Sequence, residues 1–331
     1  MVLSKLHVSG NRVLNDNNQD VTRTLRGINI QAGGTPCWMG DYFVNEQQFH
    51  YLKRLGVKII RLHLEVDWID WEGNSLGARE KMDNMISWAE KNGIYVILDY
   101  LTQTHIYMID WTEADYDHWV DLWSSNVTYG VAKRYKNKTN VLFDLMNEPC
   151  RWLFPIHQTK CQECIDAIRL EIPDAVCIVE YTSEWWSDTW GLWFEQTYPI
   201  NRSNVIFSIH SYVSYVPDPD RYGYYDAWGG WQDPTLYRAH LINIGARWCL
   251  DNGRAVQVGE CGVDNFDPNA QASRRHQYDV LLEDGYSGWT TYAWLTGNYG
   301  LAMLSDLYGR VSREGSVWKS YLQPKRRKRF E

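Results

Sequence analysis

Val141-Leu-Phe-Asp-Leu-Met-Asn147-Glu148-Pro149 is a run of strand length, mostly apolar, that delivers a carboxylate at its C-terminal end. Ala255-Val-Gln-Val-Gly-Glu260, far downstream, has the same form. Outward from these two runs, short apolar stretches alternate with amphipathic ones, the pattern of βα units around a parallel sheet. Strands are predicted over 25–30, 58–64, 95–101, 140–147, 176–181, 204–210, 255–260 and 288–294. Helices are predicted over 46–55, 80–91, 116–135, 156–171, 236–251 and 271–283, and a last one over 314–322 closes the ring. Residues 184–199, after the fifth strand, are aromatic and poorly periodic.

Ahead of the first unit, Leu6–Val8, a Gly10-Asn11 turn and Val13–Leu14 read as a short hairpin. Eight predicted strands in 331 residues fit an α/β chain folded as a (β/α)8, or TIM, barrel, which takes about 250 residues plus insertions. Nothing resembles a linker, a repeat or a low-complexity segment. Residues 1–331 are therefore expected to form a single barrel domain, with 1–24 as a hairpin cap and 323–331 as a basic tail.

Composition narrows the function. A formal net charge of −8 argues against a nucleic-acid partner, and the basic run Lys325–Arg329 reads as a solvated end. No run of 18 apolar residues is present, which argues against a membrane partner. Met1–Gly10 lacks a basic start followed by an apolar stretch, so no secretory signal is visible and the compartment stays open.

Seven cysteines is an odd number, which rules out a complete disulfide framework. Cys161 and Cys164, flanked by Cys150 and Cys177, leave a metal or one disulfide open, although Cys161–Cys164 reads as helix and no histidine has a fitting spacing. Sequons at Asn126, Asn137 and Asn201 matter only in a glycosylating compartment. Tryptophan is the outlier, with 18 residues. Trp38, Trp68, Trp71, Trp111, Trp152, Trp185, Trp186, Trp190, Trp193, Trp228 and Trp231 fall in polar, loop-like surroundings. An indole face packs on the C–H face of a sugar ring, so a cleft lined this way suits a polysaccharide; core packing is the alternative for each one.

In a barrel of this kind the active site lies at the C-terminal mouth of the strands. The polar groups ending them are Arg61 with His63 and Glu65, Asp99 with His105 beyond it, Asn147-Glu148, Glu180, His210-Ser-Tyr212, Glu260 and Trp294. Core packing would not require such a set. Two carboxylates on strands four and seven face each other across the mouth, whereas strands four and five lie side by side and leave little room for a sugar. That favours Glu148 with Glu260 as the reacting pair and leaves Glu180 as a binding or supporting residue.

Taken together, these residues resemble glycoside hydrolase family 5, the cellulase-like clan of retaining β-glycosidases. The likeness covers nearly the whole chain: the hairpin, Thr24-Leu-Arg-Gly-Ile-Asn29, Arg61, Asn147-Glu148-Pro149, His210-Ser-Tyr212, Gly259-Glu260-Cys-Gly262 and Trp294. It implies Glu148 as acid/base and Glu260 as nucleophile. It further implies Asn147 on the 2-hydroxyl of the reacting sugar and Arg61 beside Glu260. Tyr212 would donate to Glu260, His210 would contact the sugar or the acid/base, and Trp294 would floor the reacting subsite. Family members usually carry a histidine two positions beyond an aspartate like Asp99; here that place is Leu101, and His105 is the candidate for the space.

Chemistry of this kind asks opposite things of the two glutamates. The nucleophile must be ionised, which a nearby Arg61 and Tyr212 would favour, and the acid must start protonated. Proton transfer and covalent attack both come from carboxylates, so no metal or cofactor is required. The expected activity is retaining endo-hydrolysis of a β-1,4-linked polysaccharide, most simply a glucan, by a monomer. An endo-β-1,4-mannanase or another β-glucanase is the near alternative. A non-catalytic carbohydrate-binding barrel is the alternative from another class.

Overall fold

The computed structural model describes residues 3–31, 45–65, 71–74, 77–101, 111–124, 127–149, 154–181, 192–213, 234–263, 270–291 and 313–322. β1 (Leu6–Ser9) and β2 (Arg12–Asn15) pair antiparallel around Gly10, whose left-handed φ of 61° turns the hairpin. The barrel strands are β3 (Arg26–Gln31), β4 (Ile59–Glu65), β5 (Tyr95–Leu101), β6 (Val141–Asp144), β7 (Cys177–Glu180), β8 (Val205–Val213), β9 (Ala255–Val263) and β10 (Trp289–Thr291). Each bonds in parallel to the next, and β10 bonds back to β3, closing a barrel of eight strands.

All of the expected strands are present. The fourth is shorter than expected, ending at Asp144. Beyond it the chain stays tied to both neighbours through Leu145 N–H to Ile178 O (3.0 Å) and Asn147 N–H to Tyr100 O (2.7 Å). The Leu145 carbonyl instead accepts from two indoles, Trp119 at 2.7 Å and Trp123 at 3.3 Å.

Helices surround the barrel: α1 (Glu46–Leu55), α2 (Ala78–Asn92), α3 (Glu113–Trp123), α4 (Val131–Tyr135), α5 (Phe154–Glu171), α6 (Phe194–Thr197), α7 (Pro234–Asn243), α8 (Ala246–Asp251), α9 (Ala270–Asp284) and α10 (Arg313–Leu322). Two expected helices are broken. The stretch 116–135 divides into α3 and α4, where Ser124 turns extended and Gly130 sits so close to Ser124 O that a Cβ would stand 1.7 Å from it. The stretch 236–251 divides into α7 and α8 at Gly245, held at a left-handed φ of 79°. The apolar period runs on across both breaks, so periodicity alone does not show them.

Alternation along the strands produces two apolar layers. Outward residues such as Ile60, Leu62, Leu98, Phe143, Val179, Phe207 and Val258 pack under the helices. Inward residues at the strand bases, Ile59, Ile97, Leu142, Ile178, Ile206 and Ala255, form a separate cluster with Leu6 and Val13 of the hairpin. The hairpin thus packs on the apolar residues at the N-terminal end of the barrel, while the polar inward positions gather at the C-terminal end.

Trp71 and Trp111, read as loop tryptophans, turn inward. Trp71 is fully buried with its N–H on Tyr129 O, and Trp111 packs edge-on against Tyr116 and Trp119. Trp193 is 40% exposed, and the other tryptophans singled out from the sequence lie outside the described residues. Cys161, Cys164 and Cys177 are buried free thiols; Cys150 lies outside the described residues.

Barrel closure rests on Gly27. Its position places a hypothetical Cβ 1.5 Å from Ile59 O of the next strand, and its own carbonyl accepts from the Trp318 indole of α10 at 3.1 Å. A methyl group there must part β3 from β4. Gly27→Ala is expected to destabilise the fold by about 3 kcal/mol or more. Denaturant unfolding checks this, and an unchanged midpoint would refute the placement.

Candidate active site

Arg61 projects from β4 into the barrel and is fully buried. Its guanidinium meets carboxylates from four other strands. Nε donates to Asp144 Oδ2 (2.9 Å) and Nη1 to Glu260 Oε1 (2.9 Å). Nη2 donates to Glu180 Oε1 (3.1 Å) and lies 3.0 Å from Asp99 Oδ1. Nη1 also reaches Asn147 Oδ1 at 2.9 Å. Burial disfavours the positive charge, but these carboxylates more than offset that and leave Arg61 firmly protonated.

Glu260 owes its position to a bulge. Ile209 pairs with Val258 but His210 pairs with Glu260, so Gly259 is an extra residue in β9. A bulge reverses the in–out alternation and re-aims the next side chain, here Glu260, into the mouth. The Gly259 carbonyl is pinned by Asn29 Nδ2 (3.0 Å) and by Thr290 Oγ1. A side chain at 259 has no room, since its Cβ would stand 2.4 Å from Ser208 Oγ and 3.3 Å from Glu180 Oε1.

Glu260 accepts from Arg61 and from the Tyr212 hydroxyl, with His210 Nδ1 at 3.6 Å and His63 Nε2 at 3.8 Å. Burial opposes its ionisation, but His210, Arg61, His63 and the tyrosine outweigh burial and hold its carboxyl below the usual range. Glu148 follows β6 with a left-handed φ of 45°, a conformation that costs a non-glycine residue about 1–3 kcal/mol. Its side chain is 34% exposed, and Oε1 lies 2.7 Å from His210 Nδ1. Burial pushes its carboxyl up, and the charges of Glu260 and Glu180 add to this, although the His210 contact works the other way.

Ligand atoms of Glu148, His210 and Glu260 all lie within 4.8 Å of one another. His210 Nδ1 is hydrogen-bonded with Glu148 Oε1, and Nε2 lies 2.9 Å from Glu180 Oε1 as an ion-pair contact without hydrogen-bond geometry, so a carboxylate oxygen stands beside each ring nitrogen. Glu148, Glu260, Arg61, Asn147, His210 and Tyr212 thus meet in one mouth, while Trp294 and His105 lie outside the described residues.

Four buried side chains, Asp99, Asp144, His63 and Glu180, join the site beyond the catalytic and sugar-binding residues assigned from the sequence. Asp144 lies inside the opening run but looked like part of its apolar body. His63 was only one of several strand-end polar residues; its Nδ1 pairs with Asp99 Oδ2 at 2.6 Å. Glu180 reads from the sequence as a binding or supporting residue, and its four partners emerge only from the packing of neighbouring strands.

A family model described as cellulase, glycosyl hydrolase family 5, matches residues 14–298. The chain belongs to glycosyl hydrolase family 5. Endoglucanase E-5 of Thermobifida fusca is 30% identical to this family 5 chain over 159 residues, 47% of the chain and 32% of that protein. Endoglucanase MaCel5A of Microbulbifer sp. is 25% identical over 324 residues, 96% of the chain and 53% of that protein. The chain thus spans about a third to a half of the length of these relatives. The catalytic domain of T. fusca endoglucanase Cel5A shares the fold, with a TM-score of 0.73, 22% identity and 97% of each chain covered. A β-glucanase of Saccharophagus degradans, solved with cellotetraose, has a TM-score of 0.72 at 20% identity, covering 97% of this chain and 94% of its own.

Opposed environments set an order of titration. With Glu260 held low and Glu148 pushed up, the pair is expected to lose its first proton mainly from Glu260 and its second mainly from Glu148. Carbon-13 NMR of δ-labelled glutamate reads both steps, and Glu148→Gln should delete the later one. Deletion of the earlier one would refute the order.

Proposed function

We propose that this family 5 chain is a retaining endo-β-1,4-glucanase in which Glu260 is the nucleophile and Glu148 the acid/base. The observation that carries the reading is the convergence of Glu148 and Glu260 from opposite sides of the barrel to within 4.8 Å, with their carboxyls shifted in opposite directions. Retaining glycosidases hold their carboxyl groups about 5–5.5 Å apart, too close for a water between carboxylate and sugar.

Glu260, ionised beside Arg61 and Tyr212, attacks the anomeric carbon while Glu148 gives its proton to the departing oxygen. Once the glycosyl ester forms, Glu260 carries no charge, and Glu148 loses the repulsion that favoured its protonated form. It then takes a proton from water, which displaces the ester and frees Glu260. The Asn147 carbonyl oxygen is committed to Arg61, so its amide N–H groups are free among the described residues to donate to the sugar 2-hydroxyl. Trp294 and His105 are proposed as sugar contacts on the resemblance alone. The choice of glucan over mannan is supported by the endoglucanase relatives and by the cellotetraose bound to the S. degradans protein.

Activity should follow a bell, rising with pH as Glu260 ionises and falling as Glu148 gives up its proton. Tyr212→Phe removes one group that holds the Glu260 carboxyl down, so the acidic limb of kcat/KM should move to higher pH; an unmoved limb would count against the role of Tyr212.

Glu260→Ala is expected to lower turnover of carboxymethylcellulose by at least about a thousandfold. Azide should then convert an activated β-cellobioside into the α-cellobiosyl azide. A β-azide product, or full activity in the variant, would overturn the assignment. Sizing the products from cellulose, mixed-linkage glucan and mannan in parallel tests substrate and endo action, and preferential cleavage of mannan would replace the glucan reading.

A further inference from the structure

Glu180 is 2% exposed, too deep to touch a sugar in the mouth, yet it reaches several parts of the site. Its Oε2 accepts the backbone N–H of Glu148 at 2.9 Å. Its Oε1 lies 2.9 Å from His210 Nε2 and accepts from Arg61 Nη2 at 3.1 Å and Ser208 Oγ at 3.0 Å. We propose that Glu180 is a positioning residue for the acid/base step, fixing the main chain of Glu148 with one oxygen and the ring of His210 with the other. This rests on the reading of Glu148 as the acid/base.

Two consequences separate this role from simple packing. Glu148 sits in left-handed backbone, and the bond from its N–H to a carboxylate holds that conformation in place. His210 lies between two glutamates, with Nδ1 2.7 Å from Glu148 Oε1 and Nε2 2.9 Å from Glu180 Oε1, a setting that favours the doubly protonated ring, whose Nδ1–H then donates to Glu148. Burial alone would strip one proton, but Glu180 and Glu260 outweigh burial and raise the ring well above the usual histidine range. Glu180 itself stays ionised: burial opposes its charge, yet His210 and Arg61 hold its carboxyl at about 2. Among the described residues, the titratable and charged groups facing this cluster are Arg61 and His63 from β4, Asp99 from β5, Asp144 from β6, Tyr212 from β8 and Glu260 from β9, with His157 of α5 on the Glu180 main-chain carbonyl behind it.

Glu180→Gln keeps the shape but removes the charge that holds the second ring proton, and its one carbonyl oxygen, turned to Arg61 Nη2–H and His210 Nε2–H, no longer accepts the Glu148 N–H. A neutral His210 then accepts from protonated Glu148 through Nδ1 instead of donating to it. The catalytic proton is held back, and Glu148 gives it up only at higher pH. Cellotetraose, a substrate whose leaving group needs protonation, should feel this. 2,4-Dinitrophenyl β-cellobioside, whose leaving group does not, should be spared.

The test compares kcat/KM on both substrates across pH for the full chain. In E180Q the cellotetraose value is expected to fall about ten- to a hundredfold with the dinitrophenyl value within about threefold, and the alkaline limb should move up. Equal losses on both substrates, no loss on either, or an unmoved limb would overturn the proposal. E180D keeps the charge on a shorter arm, so it should slow cellotetraose while leaving the alkaline limb in place. A moved limb in E180D would overturn the proposal even if E180Q did not fold. E148Q distinguishes the two failures: full cellotetraose activity in E148Q overturns the acid/base assignment, whereas a slow E148Q beside an unaffected E180Q overturns only the role of Glu180.

Discussion

One fully buried guanidinium organises the mouth of this barrel. Arg61 is the common partner of Asp99, Asp144, Glu180 and Glu260, each delivered by a different strand. Taking a charge out of water is costly, and deleting one member of a buried ion pair typically destabilises a protein by about 3–5 kcal/mol. The barrel can hold these acids together only because a cation lies at their centre. Arg61 also fixes geometry: its planar fork orients Glu260 and Asn147 through one nitrogen and Asp144 through another.

The carboxyls do not share that cation equally. Burial pushes Asp144 well up despite its bond to Arg61, so its proton is held more firmly than in water. Glu180 and Glu260 gain His210 as a second cation and remain ionised, and Glu148, nearer the solvent, has no bond to the arginine among the described residues. An ordered set of ionisation states thus follows from which strand each acid stands on. The bulge at Gly259 and the left-handed backbone at Glu148 are the local irregularities this requires, one on each side of the mouth.

Much of this was legible in the chain. Apolar runs of strand length at regular intervals gave the barrel, and carboxylates ending two of them gave Glu148 and Glu260. Arg61, Asn147, His210 and Tyr212 stood at strand ends and were assigned through the resemblance. What stayed hidden depended on neighbours distant in sequence. The bulge leaves no mark in Val-Gln-Val-Gly-Glu, since Gly259 reads equally well as an ordinary strand residue. The breaks at Gly130 and Gly245 preserve the helical period on either side. Asp144 and Glu180 owe their roles to a side chain that arrives from β4. Trp71 shows the opposite error: a tryptophan among acidic residues looked suited to sugar, yet it is packed away with its N–H satisfied by a backbone carbonyl.

The hairpin at the other end bears on chemistry as well as packing. Leu6 and Val13 join the inward residues of the lower strands in a continuous apolar plug, with the charged layer directly above it. Among the described residues, that plug closes the underside of the barrel to solvent. In the proposed reaction, the water that completes hydrolysis then comes through the doorway just vacated by the departing oligosaccharide. Among the described residues, the polar mouth above the plug is the side from which water can reach the glycosyl ester. In that reaction the plug beneath the charged layer makes the fate of the ester depend on what enters from above.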